Sequence, residues 1–219
     1  MCGRYTLTSP AEALRALFDL DLPAEVSPRF NVAPTQTVLW IELRDGAFVA
    51  KRGRWGIVPG WAKSISGPPL INARAETVAT TPMFRGAFKK WRCLVPADGF
   101  YEWQKEGKAK TPIHFRLGER EPFAFTGLTS RWTPPDGGEP VDSCAIITTV
   151  PNETCSPVHD RMPVILPRQE YRAWLDPAAS PEMLRSMLAP WPGPMQAVPV
   201  SARVGNVRND DPGCLDPAS

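Results

Sequence analysis

The chain has no C-x-x-C pair, no apolar run long enough to cross a bilayer and no internal repeat, and each absence removes a class of protein. Its five cysteines, at positions 2, 93, 144, 155 and 214, are spaced too widely and irregularly for a structural zinc site, so no metal is expected and no cofactor is implied. No apolar run follows the basic residue at the N-terminus, so nothing there reads as a signal peptide. The expectation is a soluble protein of the reducing cytoplasm, with no membrane association and with Cys93, Cys144 and Cys155 reduced in or near the core. Excess charge is also missing. Lys and Arg number 25 against 23 Asp and Glu, a net +2, which excludes a generally basic nucleic-acid coat but permits a local basic groove. Only two histidines are present, His114 and His159.

Proline, in contrast, is abundant: 26 in 219 residues argue against long helices and for plentiful loops and edge strands. The pattern is mostly β. Arg4–Thr8 has strand composition, and Ser9-Pro10-Ala11-Glu12 reads as an N-cap, a first-turn proline and a capping-box glutamate before a helix to about Phe18. A proline-punctuated loop is expected over Pro23–Pro34, then a hairpin of Thr37–Leu43 and Ala47–Lys51 around Arg44-Asp45-Gly46. Trp55–Val58 reads as a further strand, followed by a loop to Pro69. Met83, Phe84, Ala87, Phe88 and Trp91 have helical spacing. Five short β runs follow, at Arg92–Pro96, Gly99–Gln104, Thr111–Arg116, Phe123–Ser130 and Cys144–Val150, a series that suggests an antiparallel sheet curling into a barrel or sandwich. After Met162–Leu166 come helices at about Arg168–Leu175 and Pro181–Leu188, the second with Ser180 as N-cap, and a late strand at Met195–Val200. The fold class is α+β. One domain is expected over residues 1–208, with 209–219 a frayed, flexible tail.

Four polar groupings carry possible chemistry. Asn72-Ala73-Arg74-Ala75-Glu76-Thr77 packs an amide, a cation and a carboxylate together, although alone it reads equally as the start of a helix capped by Asn72 or Thr77. In Gly99-Phe100-Tyr101-Glu102-Trp103, alternation aims Phe100, Glu102 and Gln104 at one face and Tyr101 with Trp103 at the other. A carboxylate among aromatics has a raised pKa and serves as a general acid or base, but a solvent-facing glutamate fits the pattern too. His159-Asp160-Arg161 suits a proton shuttle or a loop anchor, while His114, on an alternating strand, is read as structural. Arg4, Lys63, Arg74, Arg85 and Arg161 interleave with Trp55, Trp61, Phe84 and Trp103, a combination that serves phosphates and base stacking only if the chain brings it together.

Cys2 is distinctive because of its position. Initiator methionine is normally trimmed before a small residue, so Cys2 is expected to become the mature N-terminus and to carry an α-amine beside its thiol; the alternative is an incidental cysteine behind a retained Met1. With a reference pKa of roughly 7.7–8.0, about a tenth of such an amine is neutral at pH 7 and able to attack an aldehyde, after which the thiol closes a thiazolidine ring.

Met1-Cys2-Gly3-Arg4-Tyr5, Phe30–Thr35, Trp55–Pro59, Asn72–Thr77, Arg92–Pro96, Gly99–Trp103 and His159–Pro163 occur in the order seen in the SOS response-associated peptidase (SRAP) family, which this chain resembles over about residues 2 to 200. The resemblance implies a single SRAP-type domain, a curled, mainly antiparallel β-sheet or barrel with short flanking helices. It also implies an abasic-site sensor that crosslinks its N-terminal cysteine to the ring-opened sugar in single-stranded DNA. Carried over by position, Cys2 supplies amine and thiol, Asn72 positions the N-terminus and sugar, Glu102 assists Schiff-base formation and ring opening, and His159 serves the sugar hydroxyls and crosslink reversal. Arg4, Arg74 and Arg161 match phosphate contacts, while Trp61, Met83, Phe84 and Trp103 match residues that stack on or wedge against bases. A monomer acting on nucleoid DNA is implied. A thiol autopeptidase using Cys2 and a non-catalytic single-strand binder are the competing functions.

Overall fold

A computed structural model describes residues 2–20, 26–107, 109–119 and 121–218. Among these the strands are β1 Tyr5–Leu7, β2 Arg29–Val32, β3 Thr37–Arg44, β4 Ala47–Trp55, β5 Asn72–Arg74, β6 Arg92–Ala97, β7 Gly99–Glu106, β8 Ala109–Arg116, β9 Phe123–Trp132, β10 Val141–Thr149, β11 Met162–Pro163, β12 Ile165–Leu166 and β13 Gln196–Pro199. Four short helices flank them: α1 Ala11–Phe18, α2 Arg85–Lys90, α3 Tyr171–Leu175 and α4 Pro181–Ser186.

Pairing in the order β10-β4-β3-β6-β9, with β9 returning to β10, closes a five-stranded barrel. Most neighbours are antiparallel. The β3–β4 hairpin turns through Asp45 and Gly46, at φ 50° and 78°, the two left-handed residues that a two-residue turn of matching twist requires. Closure depends on a parallel contact, Ser143 and Cys144 of β10 beside Arg54 and Trp55 of β4, and β5 adds to β10 in parallel further along. The fully buried Ile41, Leu94, Phe125, Leu128 and Ile146 belong to one continuous core, each stabilising the fold by roughly 1.5–3 kcal/mol through removal of its side chain from water.

A second sheet, in the order β13-β8-β7-β1-β2, lies against this core. Phe100 of β7 stacks on Phe115 of β8 at 5.0 Å and meets Phe125 of the barrel edge-on at 6.2 Å, so one face of the sheet is part of the main core. The opposite face carries Tyr101, which clusters with Val200, Val204 and Cys214. His114 is the structural histidine expected: it is buried, bonded to Thr6 Oγ1 at 3.1 Å and set against Tyr101. Gly99 makes this possible, since a Cβ there would fall 2.1 Å from His114 Nε2.

Several expectations are revised. Ser9 does not cap α1; Asp98 Oδ2 accepts from its N–H and hydroxyl at 2.7 and 2.9 Å, leaving Pro10 at the cap. The proline-rich stretch contains β2, while residues 23–25 of that expected loop lie outside the described residues. Trp55 ends β4 rather than starting a strand, and its ring is buried against Tyr5 at 5.3 Å, which removes it from any stacking surface. Asn72 opens a strand rather than a helix. The segment from Asn209 is docked instead of frayed: Asp210 accepts from the main-chain N–H groups of Phe30 and Asn31 at 2.6 and 2.9 Å and pairs with Arg29, and Cys214 is fully buried.

Candidate active site

The site forms where the N-terminal segment, β5, β7 and the loop before β11 meet. Antiparallel register pairs Tyr5 with Phe100 and Thr6 with Gly99, and the Tyr101 N–H donates to the Arg4 carbonyl at 3.0 Å. Continued by two residues, that register sets Glu102 across from Gly3, on the core-facing side with Phe100. Cys2 is fully buried, its Sγ 4.0 Å from the Arg4 carbonyl oxygen. From β5, the Asn72 amide nitrogen donates to the Cys2 carbonyl at 2.8 Å. The Asn72 Oδ1 is buried with no hydrogen-bond partner among the described residues, so one acceptor remains for an incoming group.

Residues 152–161 bring in the histidine. Asn152 Oδ1 accepts the Cys155 N–H at 3.0 Å, a cap-like bond that starts the loop, and the Cys155 carbonyl then accepts the His159 N–H at 3.0 Å. His159 Nε2 comes to rest 3.8 Å from Glu102 Oε2. On its other side, Nδ1 accepts the Arg161 N–H at 3.0 Å while Asp160 Oδ1 lies 2.9 Å away, and one ring nitrogen cannot accept the first and donate to the second. Both groups lie at Nδ1, which leaves Nε2 as the ring nitrogen that faces Glu102.

Burial sets the electrostatics. Glu102 is only 6% exposed, and loss of hydration raises its carboxyl to about 7, the range where it both gives and takes protons near neutrality. His159 is lowered, chiefly by burial, and is therefore mostly neutral at pH 7. The Cys2 thiol is pushed well above its ordinary range by burial and secondarily by the Glu102 charge, so it is held as S–H. Cys155 neighbours the same groups and is raised by burial to about 12, with Glu102 adding to the effect. Among the described residues no cluster of three or more His, Cys, Asp or Glu forms a metal site.

Cys2, Asn72, Glu102 and His159 thus converge, and the structure distributes the remaining candidates around them. Arg161, with its side chain 13% exposed, makes a bidentate pair with Glu76 at 2.6 and 3.0 Å and is braced by Thr148; its Nε has no partner among the described residues. Arg74 is exposed next to it, since β5 aligns Arg74 with Thr148. Arg4 takes the other face of β7: its guanidinium donates at 2.7 Å to Asn31 Oδ1 and to the Val204 carbonyl, and lies 5.8 Å from the half-buried Trp103 ring. Trp61 is 69% exposed and Met83 half-buried, both lining a groove away from Cys2, whereas Phe84 is 9% exposed and packs in the core.

Sequence reasoning missed Thr148, Glu76 as the partner of Arg161, and Asn31 as the anchor of Arg4. Asn31 and Glu76 lie inside motifs already singled out, but a pairing across 85 residues, as for Glu76 and Arg161, leaves no local trace.

The profile of the family described as SOS response associated peptidase (SRAP) matches residues 1–207. Among curated relatives, the abasic site processing protein YoqW of Bacillus subtilis (strain 168) is 42% identical over 224 residues, covering 99% of both chains. The abasic site processing protein YedK of Escherichia coli (strain K12) is 33% identical over 226 residues, covering 99% of this chain and all of its own. A crystal structure of a protein from Bacteroides thetaiotaomicron superposes with a TM-score of 0.86 over the whole of both chains at 26% identity. With the fold, the seven ordered motifs and full-length relatives in agreement, the chain belongs to the SRAP family.

Proposed function

We propose that the protein processes abasic sites in single-stranded DNA and, once Met1 has been removed, joins Cys2 to the ring-opened sugar through a thiazolidine. The observation that carries this reading is the meeting of four groups at Cys2: its carbonyl is held by Asn72 at 2.8 Å, with Glu102 on the adjoining strand and His159 3.8 Å from Glu102. The names of the full-length relatives, abasic site processing proteins, support the same substrate.

An abasic C1′ is mainly a closed hemiacetal, and opening it takes a proton from the C1′ hydroxyl and gives one to the ring oxygen. Glu102, at about 7, suits both halves of that transfer. The Cys2 amine then adds to C1′, water leaves as the imine forms, and the thiol adds to the same carbon. The C1′–N and C1′–S bonds form, the aldehyde oxygen departs as water, and the thiol proton ends on nitrogen, so nothing is oxidised or reduced. Closing the ring removes the imine whose adjacent C–H would otherwise be lost on the way to strand cleavage. His159, neutral at rest with Nε2 3.8 Å from Glu102, takes up a proton from water and as imidazolium delivers it in the return reaction. A single strand suits the site because a duplex must be unstacked before C1′ is reached.

In the same proposal the protein works as a monomer in the cytoplasm. Incubation with single-stranded DNA carrying one abasic site, followed by a denaturing gel, tests the reading. A heat- and detergent-stable shifted band is expected, whereas an autopeptidase gives no such band and a simple binder shifts DNA only under native conditions.

A further inference from the structure

Beyond Trp61 and Met83 the surface continues into a groove of about 720 Å³ between the Trp61 loop, α2 and the outer wall of the barrel. Its lining includes the most exposed large apolar side chains of the described residues, Trp61 at 69% and Trp91 at 58%. Its charges are unevenly matched. Glu42 is taken by Arg44 at 2.8 Å and by the Trp40 indole N–H at 2.8 Å, and Asp142 lies 3.7 Å from Arg131. Lys51 and Arg85 also line the groove, and among the described residues neither has an ion-pair partner, so the acids are compensated and two cations are left over.

We infer that this groove carries the single strand away from the reactive centre, with bases stacking on Trp91 and phosphates against Lys51 and Arg85. Two exposed aromatic rings and two uncompensated cations lining one groove fit a chain of alternating π-faces and anions better than they fit a protein surface. The inference rests on the proposed function, which supplies the strand. Its length can be read from β10: Thr148, beside Arg74 and Arg161, and Asp142, in the groove, stand six residues apart on one strand, about 20 Å at roughly 3.3 Å per residue. Stacked nucleotides rise about 3.4 Å each, so roughly six nucleotides on one side of the abasic site reach the groove.

The test uses oligonucleotides in which the 5′ or the 3′ flank of a tetrahydrofuran abasic analogue is lengthened separately from two to ten nucleotides, with affinity read by fluorescence anisotropy. This analogue has no aldehyde, so the readout is independent of crosslinking. Affinity is expected to rise on one flank only, levelling near six nucleotides. Trp91→Ala is expected to remove about fivefold or more of that gain, and Lys51→Ala or Arg85→Ala each to flatten the salt dependence by about one counterion. Crosslinking of a short-flanked natural abasic site should be unchanged in all three variants. Equal gains on both flanks, or a full gain retained by Trp91→Ala and by the Lys51→Ala/Arg85→Ala double variant, would overturn the inference and leave the groove to another partner. Wild-type protein that shows the flank-dependent gain but never crosslinks would overturn the covalent reading while sustaining the groove.

Discussion

Replacing Glu102 with glutamine retains the shape of a buried side chain and removes its ability to exchange a proton, so chemistry and stability should move in opposite directions. At pH 7 a carboxyl with the ordinary value of 4.5 is protonated in roughly one molecule in 300, and one raised to about 7 in roughly one of two. Burial therefore multiplies the available acid by about 150. Loss of such a group slows a proton-transfer step by about 10²–10⁴-fold, roughly 3–5 kcal/mol of barrier. Glu102→Gln should slow single-turnover crosslinking by that factor and abolish the limb of the rate–pH profile centred near 7. A simple aldehyde, with no hemiacetal to open, should show a smaller loss. Stability supplies the control. Because the folded-state value lies above the unfolded one, the native state binds the extra proton between about 4.5 and 7, and wild-type stability falls as pH rises through that window. The penalty of an ionised Glu102, on the order of 3 kcal/mol for a shift of this size, is absent in the glutamine variant. It should therefore resist urea better than wild type above pH 7, with the difference fading toward pH 4.5. A variant that crosslinks at the wild-type rate with the same pH profile, or that gains nothing in stability at pH 8, would refute the reasoning.

Other substitutions probe the surrounding parts. His159→Ala should slow formation of the crosslink less than its reversal, measured as release of the protein under excess competitor DNA. Arg4→Ala, Arg74→Ala and Arg161→Ala should each weaken single-strand affinity and reduce its salt slope by about one, whereas Arg116→Ala, at the end of β8 and bonded to Gln196, and Arg185→Ala, paired with Glu182 on α4, should do neither. Glu76→Gln weakens the brace on Arg161 and should raise affinity for the strand, a result that titration by anisotropy would expose. Gly99→Ala forces a Cβ to within 2.1 Å of His114 Nε2 and 2.9 Å of the Phe115 carbonyl; a loss of about 1–3 kcal/mol in chemical denaturation is expected, together with slower crosslinking as β7 shifts Glu102.

The central strands were legible because β6 to β10 are short runs rich in β-branched and aromatic residues separated by turn residues. Barrel closure was not, since it rests on the parallel contact of Ser143 and Cys144 with Arg54 and Trp55, and nothing near either segment announces the other. The strand Asn72–Arg74 is too short to show a period and exists because β10 offers its edge. At the C-terminus, Asp-Asp-Pro-Gly has turn composition, yet Asp210 serves as a distant anion for Arg29 and for two backbone donors of β2. Ser9 shows the same competition: a good capping residue is claimed by Asp98 from 89 residues away. In the site, Cys2 was legible from its place in the chain and Glu102 from its aromatic neighbours. Their meeting with His159 needed the β1–β7 register and the Asn152 turn, both tertiary facts.

If the amine and thiol of one residue both end on C1′, the crosslink must depend on a free N-terminus and on sulfur at position 2 together. Protein with Met1 removed, the same protein blocked by an N-terminal extension, and Cys2→Ser with a free amine are each incubated with abasic single-stranded DNA, with and without borohydride, and resolved by denaturing gel and intact mass. A stable adduct with the mass of protein plus DNA less one water is expected for the free N-terminus, none for the blocked protein, and for Cys2→Ser only a product trapped by borohydride. A normal crosslink from the blocked protein would contradict that dependence.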